Sequence, residues 1–415
     1  MTISLRHLLA STAVALAALL IGAPLASAAV SVPGGQAGKR PAVVRTSIGA
    51  ARSVGKRGSC TARLARVRTQ RMAPQRRRRI ARRLRNSCQA TQSSAAHSPL
   101  YWGATVGEQL TGTQAPWDMG AVSKFEDMSG KGVSMVNFFA PFANCSSSPC
   151  SFYKFPAGPM ENIREHGAIP VFSWSSQSIP SSLNEPDFQL SDVVSGAYDS
   201  YIREFAEDAR DWGHPFFLRF NWEMNGNWFS WSEGVNGNQS GEFVAAWRHV
   251  HDIFTQVGAD NVTWVWCPNV DPGHKMLDLA SQYPGDEYVD WTGLDGYNWG
   301  PGKGGWASFN SLYSSTYHAI VDSIAPSKPL LIGEMGSSER GGSKASWISE
   351  AMSELLAEYP QIRGMLWFDT FDDGMDWPIE TSASATSAFA AGVQNPAFQV
   401  SSYADLPAGK IAPPS

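Results

Sequence analysis

Acidic residues are missing from the first quarter of the chain. Residues 30–98 contain 17 Lys and Arg and no Asp or Glu. With Arg6 set aside, 15 basic residues remain from residue 99 onward against all 37 acidic ones, a net charge near −22 there. So abrupt a change divides the chain into two units. Long hydrophobic runs are also scarce. The one at the start, LLASTAVALAALLIGAPL, follows Arg6, is broken by Gly22 and Pro24, and leads into Ala26-Ser27-Ala28. This is the order of a cleavable secretory signal over residues 1–28, not of a membrane span. A secreted protein, extracellular or associated with a cell wall, is expected.

Cysteine is rare, with five in 415 residues. In an exported chain they can pair. Cys145 and Cys150, in NCSSSPC, can close a small loop, and Cys60 and Cys88 bracket the basic segment. Cys267, in the apolar run WVWCPN, is left over and is expected to be a buried, inert thiol. No H-E-x-x-H or C-x-x-C pattern occurs, so neither a metal nor another cofactor is expected. No glycine-rich phosphate loop follows the first apolar strand, which argues against a nucleotide-binding sheet.

The basic segment, residues 29–98, centres on CTARLARVRTQRMAPQRRRRIARRLRNSC. Leu64 and Val67 share one helical face, Ile80 and Leu84 another, and Ala73-Pro74 suits a turn between them. Such a hairpin would bring Cys60 and Cys88 together but has too few apolar residues for a core. Residues 52–85 read either as an adhesive for an anionic cell-wall polymer or as a solvated spacer. Export argues against nucleic acid as the target, and a monomer is expected.

From residue 99 to 395 apolar β-type runs alternate with amphipathic helical patterns. The runs are 101–107, 133–140, 168–174, 216–221, 262–267, 290–297, 329–334 and 363–369. They are continuously apolar, as in parallel strands buried on both faces. Between them, Tyr198, Ile202, Phe205, Ala209 and Trp212 recur at steps of three and four, with Gly213 and Pro215 as the stop. Phe243, Trp247, Val250, Phe254 and Val257 repeat the pattern behind Ser240, the expected N-cap. Phe309, Tyr313, Tyr317, Ile320 and Ile324 repeat it again. Eight alternations predict an α/β fold, a (β/α)8 TIM barrel, with a doubly wound sheet as the competitor. Residues 396–415 read as a C-terminal tail.

Chemistry on such a barrel sits where strands end. Glu223 lies at the end of the fourth run and Glu334 at the end of the seventh, so the two can face each other across the mouth. Two carboxylates across a cleft suit glycoside hydrolysis, one protonating the leaving oxygen and the other attacking or activating water. Arg219, Asn221 and Glu223 share strand parity and are expected to point inward together. Sixteen tryptophans are many for this length. Trp174, Trp228, Trp231, Trp299, Trp367 and Trp377 fall at expected strand ends and loops, where aromatic faces can stack on sugar rings. Asn221, Asn225, Asn227, Asp295, Tyr297 and Asn298 can bind hydroxyls.

The stretch LRFNWEMNGNWFSW closely resembles the strand-four signature of glycoside hydrolase family 26, roughly R-x-x-H-E-M-N-G-x-W-x-x-W. LDGYNW and LLIGEMGS are similar to its later motifs, with 111 residues between the two glutamates. The likeness covers residues 99–395. The family consists of retaining (β/α)8 enzymes, mostly β-mannanases, with some acting on mixed-linkage β-glucan or xylan. The resemblance implies Glu223 as acid/base and Glu334 as nucleophile, with carboxyl groups about 5–5.5 Å apart. It implies Tyr297 as hydrogen-bond partner of the nucleophile, Asp295 as a nearby sugar contact, and Trp228 and Trp367 as walls at the cleavage point. Arg219 matches the family arginine. The chain departs from the pattern at Trp222, where the family has histidine, and at Ser173-Trp174, where a further histidine is common. The expected activity is a retaining endo-β-glycosidase on β-1,4-mannan. Its alternatives are a glucanase or xylanase of the family, and a glycan-binding protein without activity on the same scaffold.

Overall fold

A computed structural model of the chain describes residues 98–415, apart from residues 274, 302 and 303. The expected signal at residues 1–28, the basic segment and the pairing of Cys60 with Cys88 lie outside the described residues.

The strands are β1 (Tyr101–Val106), β2 (Met135–Asn144), β3 (Ser151–Phe152), β4 (Ile169–Ile179), β5 (Phe216–Phe220), β6 (Val262–Trp266), β7 (Trp291–Asn298), β8 (Leu330–Ser337) and β9 (Ile362–Asp369). All but β3 pair in parallel with their neighbours, and β1 pairs with both β2 and β9. The sheet therefore closes into an eight-stranded barrel, and the doubly wound alternative is set aside. β3 is a short antiparallel addition to β2, beside the loop that Cys145 and Cys150 close by a disulfide.

The helices are α1 (Met119–Ser129), α2 (Ala157–Glu165), α3 (Leu190–Val194), α4 (Asp199–Trp212), α5 (Glu242–Val257), α6 (Phe309–Ala319), α7 (Lys344–Glu358) and α8 (Ala383–Val393). All but the short α3, which packs against α5, lay an apolar stripe on the barrel. In α4 the buried residues are Ile202, Phe205, Ala206 and Ala209, and Gly213, at φ 74°, ends the helix. The expected cap of α5 is corrected. Gly241, at φ 87°, precedes the helix, and the Glu233 carboxylate, rather than Ser240, accepts from the Gly241 and Phe243 amides at 2.7 and 3.4 Å. α6 runs on as a π-turn over Ile320–Ile324.

Residues 396–415 are not a loose tail. Phe398 bridges Leu100. The Ile411 amide donates to Thr263 Oγ1 at 2.7 Å, its carbonyl accepts from Trp291 Nε1 at 2.9 Å, and Tyr101 donates to the Ala412 carbonyl at 3.1 Å. The segment crosses the N-terminal ends of β1, β6 and β7 and buries Ile411. Deleting residues 407–415 should cost about 3–5 kcal/mol, from one buried aliphatic side chain and five hydrogen bonds, the other two being Lys410 to Asp290 and Arg363 to the Pro414 carbonyl. The urea midpoint of the truncated protein measures this.

Candidate active site

One inward-facing layer near the top of the barrel is polar. Asn137 of β2 donates to Thr105 of β1 at 2.8 Å and accepts from Ser173 of β4 at 2.9 Å. Arg219 of β5 donates to Ser173 at 3.0 Å, to Glu334 of β8 at 3.1 Å and to Asp295 of β7 at 2.5 Å. Six strands are thus tied across the interior by one run of hydrogen bonds centred on Arg219, which is fully buried. A register shift between Leu294 and Asp295 sets Asp295 opposite Glu334. Burial works against the Arg219 charge, but the surrounding carboxylates of Asp295 and Glu334 more than restore it and its pKa is raised. Removing both carboxylates would strand a buried charge.

Above this layer the chain after β5 leaves strand geometry. Asn221 and Glu223 both have positive φ, 45° and 54°, which costs energy outside glycine. The result is that consecutive residues Trp222 and Glu223 both face the mouth. The Glu223 amide donates to the Cys267 carbonyl at 2.7 Å. Its carboxylate accepts from Trp228 Nε1 at 2.6 Å and from Asn269 Nδ2 at 2.8 Å. Trp228 folds back over Gly226, where a Cβ would lie 2.5 Å from the indole ring, so glycine is required there. Asn225 clips Asn269 in place through both its amide atoms, at 2.9 and 2.8 Å.

Glu334 accepts from Arg219 on one oxygen and from the Tyr297 hydroxyl on the other, at 2.5 Å. Oxygens of Glu223, Asp295 and Glu334 lie within 4.8 Å of one another. The Arg219 guanidinium bonds two of the three, so part of the counter-charge comes from the chain itself. The two candidate glutamates differ in setting. Burial pushes Glu223 up to about 7, with the Glu334 charge adding to the rise and the donors Asn269 and Trp228 opposing it. Tyr297 is raised well above its usual value by burial and by the Glu334 charge, so it keeps its proton and acts as a donor.

The site residues read from the sequence separate into those that reach the cleft and those beneath it. Glu223 and Glu334 are each 6% exposed, Trp222 is 7% exposed, and Tyr297 and Trp228 are partly exposed. The Trp222 ring is held by Phe139 at 5.2 Å, Phe229 at 5.5 Å and the Arg219 guanidinium at 5.6 Å.

Four expected sugar contacts are corrected. Asn221 does not point inward with Arg219. The strand has ended, and its side chain bonds the Ser176 amide and hydroxyl, both at 2.8 Å. Asn225 is spent on Asn269, and Asp295 is fully buried against Arg219. Trp367 stands on the helix side of β9, against Trp347 and Phe389, and is fully buried. Its neighbour Phe368 has the inward parity and meets Tyr297 at 5.6 Å. Cys267 is buried as expected, but it faces the polar interior, 3.2 Å from Asp295. Burial raises its thiol pKa well above the usual value.

Asn269, Phe139 and Phe368 were missed. Asn269 and Phe368 had a signal in the sequence, since both stand at the C-terminal ends of apolar runs. Phe139 sits inside a run of aromatics, where nothing marked it.

Endoglucanase H of Acetivibrio thermocellus is 33% identical over 312 residues, 72% of this chain and 31% of that one. A mannan endo-1,4-beta-mannosidase of Bacillus subtilis is 26% identical over 237 residues, 54% of this chain and 59% of that one. The chain thus spans about a third and about three fifths of the length of these relatives. Among solved structures, a modular endo-beta-1,4-mannanase of Cellulomonas fimi aligns with a TM-score of 0.55 at 18% identity, covering 74% of this chain and 72% of that one. At that identity the likeness speaks for the barrel alone. The sequence model described as Glycosyl hydrolase family 26 matches residues 118–390. With the barrel and the signature around Glu223 in agreement with that match, the chain belongs to glycosyl hydrolase family 26.

Proposed function

We propose that this protein is a retaining endo-β-glycosidase cutting a β-linked polysaccharide by double displacement. The observation that carries the reading is that an oxygen of Glu223 and an oxygen of Glu334 lie within 4.8 Å of each other. That spacing suits a nucleophile and an acid/base, whereas inverting enzymes leave about 6.5–9.5 Å for a water between their carboxyl groups. Glu334, oriented by Arg219 and Tyr297, attacks the anomeric carbon. Glu223, holding a proton near neutral pH, protonates the departing oxygen and later takes a proton from water. Arg219 and Asp295 act from beneath the sugar, as orienting groups.

The resemblance by itself points to β-1,4-mannan. A second reading, a β-1,4- or mixed-linkage glucan, is favoured by the Trp222 ring at the cleavage point. Mannose carries an axial hydroxyl at C2, which needs a polar partner and room beside the ring. The surface made by Trp222, Phe139 and Phe229 is aromatic, the two phenyl rings tilted by 54° and 66° to the indole, and it suits a ring with equatorial substituents. The relation to an endoglucanase points the same way.

The test is reducing-sugar release by the purified protein on barley β-glucan, glucomannan, galactomannan and xylan, with NMR of the first anomer formed. Cleavage of β-glucan at least about tenfold faster than galactomannan supports the glucan reading, a ratio in reach of a single contact. The reverse order returns the substrate to mannan. Net inversion at the anomeric carbon would sink the double displacement, and absence of release on every glycan would favour a binding protein.

A further inference from the structure

We propose that Lys344 is a positioning residue for Glu334, holding residues 376–378 so that Trp377 stays packed against Tyr297; this rests on the reading of Glu334 as nucleophile. Lys344 is the first residue of α7, after the N-cap Ser343, and is fully buried. Both features oppose its charge. A helix N-terminus is electrically positive, and burial strips the ammonium of water. A lysine kept in such a place needs strong local compensation.

Its hydrogen bonds all go to one segment. The Nζ donates to the carbonyls of Asp376, Trp377 and Pro378 at 2.6, 3.0 and 2.7 Å, and to Thr381 Oγ1 at 3.0 Å. Three successive carbonyls aimed at one ammonium fix the path of the backbone that carries Trp377. The carboxylates of Glu339, Asp376, Asp369 and Glu380 surround it. Burial lowers the amine to about 8 while these four oppose the fall, so it is charged at neutral pH.

The segment reaches the cleft through Trp377. This ring is 2% exposed and meets Tyr297 at 4.8 Å and Trp299 at 4.9 Å. A Cβ on Gly336, two residues beyond Glu334, would lie 3.0 Å from the Tyr297 ring and 3.1 Å from that of Trp377. Glycine there lets both rings close over β8. Met375, Trp377 and Phe368 form an apolar cluster apart from the main core, with Phe139, Tyr297 and Trp299 packed on it. The chain of contacts runs from Lys344 to the backbone of Trp377, from its ring to Tyr297, and from the Tyr297 hydroxyl to Glu334 Oε2 at 2.5 Å. The nucleophile's donor is therefore braced by a buried ammonium on the loop beyond it.

The test compares wild type with Lys344→Met and Trp377→Leu. The second variant removes the ring but leaves the ammonium and its carbonyls. Both variants are expected to lose at least tenfold in kcat with KM within about threefold, and the acid limb of kcat/KM should move to higher pH as the Tyr297 donor loosens. A role confined to stability would lower the melting temperature and leave both kinetic readouts unchanged. Either folded variant with wild-type kcat overturns the proposal, and Trp377→Leu decides it if Lys344→Met does not fold. Hydrogen exchange reads the brace independently of turnover. In Lys344→Met, amides of residues 370–382 and 295–299 should exchange faster than in wild type. Faster exchange confined to 370–382 overturns the proposal, even if the wild type cleaves no glycan and the assigned function fails.

Discussion

Glu334→Gln should leave a folded barrel with kcat reduced about 10⁴-fold or more, the scale of loss when a covalent nucleophile is removed. The amide keeps the volume and can still accept from Tyr297, but it cannot form the glycosyl–enzyme bond. Arg219 retains Asp295 at 2.5 Å, so the buried guanidinium is not left without an anion. Binding of the polysaccharide, measured by calorimetry, should stay within about tenfold. Glu334→Ala opens space beside the anomeric carbon. Added formate or azide should then restore slow turnover on an activated aryl glycoside, with the first product in inverted configuration. Residual activity above a few per cent on the polysaccharide, with no change of stereochemistry, would remove Glu334 from the role.

The features legible in the sequence were those set by repeated local rules. Eight apolar runs separated by helical periodicity pointed to the barrel, because burial on both faces and a 3.6-residue stripe each leave a direct mark. Glu223 and Glu334 were legible for the same reason, since each ends a run on the face where such barrels carry loops. What failed was parity carried past the last paired residue. β5 ends at Phe220, and the positive φ of Asn221 and Glu223 reverses which side chains face in. Asn221 turns to Ser176 while Trp222 and Glu223 share the cleft. Trp367 was misplaced by one residue of a strand, and Phe368 holds the inward position. Lys344 had no local signal, because its acceptors lie 32 to 37 residues away. The covering role of residues 396–415 was hidden likewise, since their partners stand at the starts of β1, β6 and β7.

Glu223→Ala should cost about 10²–10⁴-fold in kcat/KM on a polysaccharide. A sugar hydroxyl is a poor leaving group and needs the proton, whereas a dinitrophenyl glycoside does not. With that aryl substrate the first step should survive and breakdown of the glycosyl–enzyme should become limiting. Added azide should then speed turnover several-fold and give a glycosyl azide of retained configuration. The pH profile gives the second arm. Wild-type Glu223 is pushed up to about 7, so the proton it must deliver is present below that pH and lost above it. The basic limb of kcat/KM should fall near 7 in wild type and disappear in Glu223→Ala with the aryl substrate. The Glu334 charge contributes to the rise, second to burial. Esterification of Glu334 by the sugar removes that charge, so Glu223 gives up its proton more readily in the intermediate, as the base of the second step requires. Glu334→Gln should likewise move the titration of Glu223 to lower pH, followed by the carboxyl ¹³C shift of labelled glutamate. A titration unchanged in Glu334→Gln would mean that burial alone sets the protonation of Glu223, and the switch from acid to base would then need another cause.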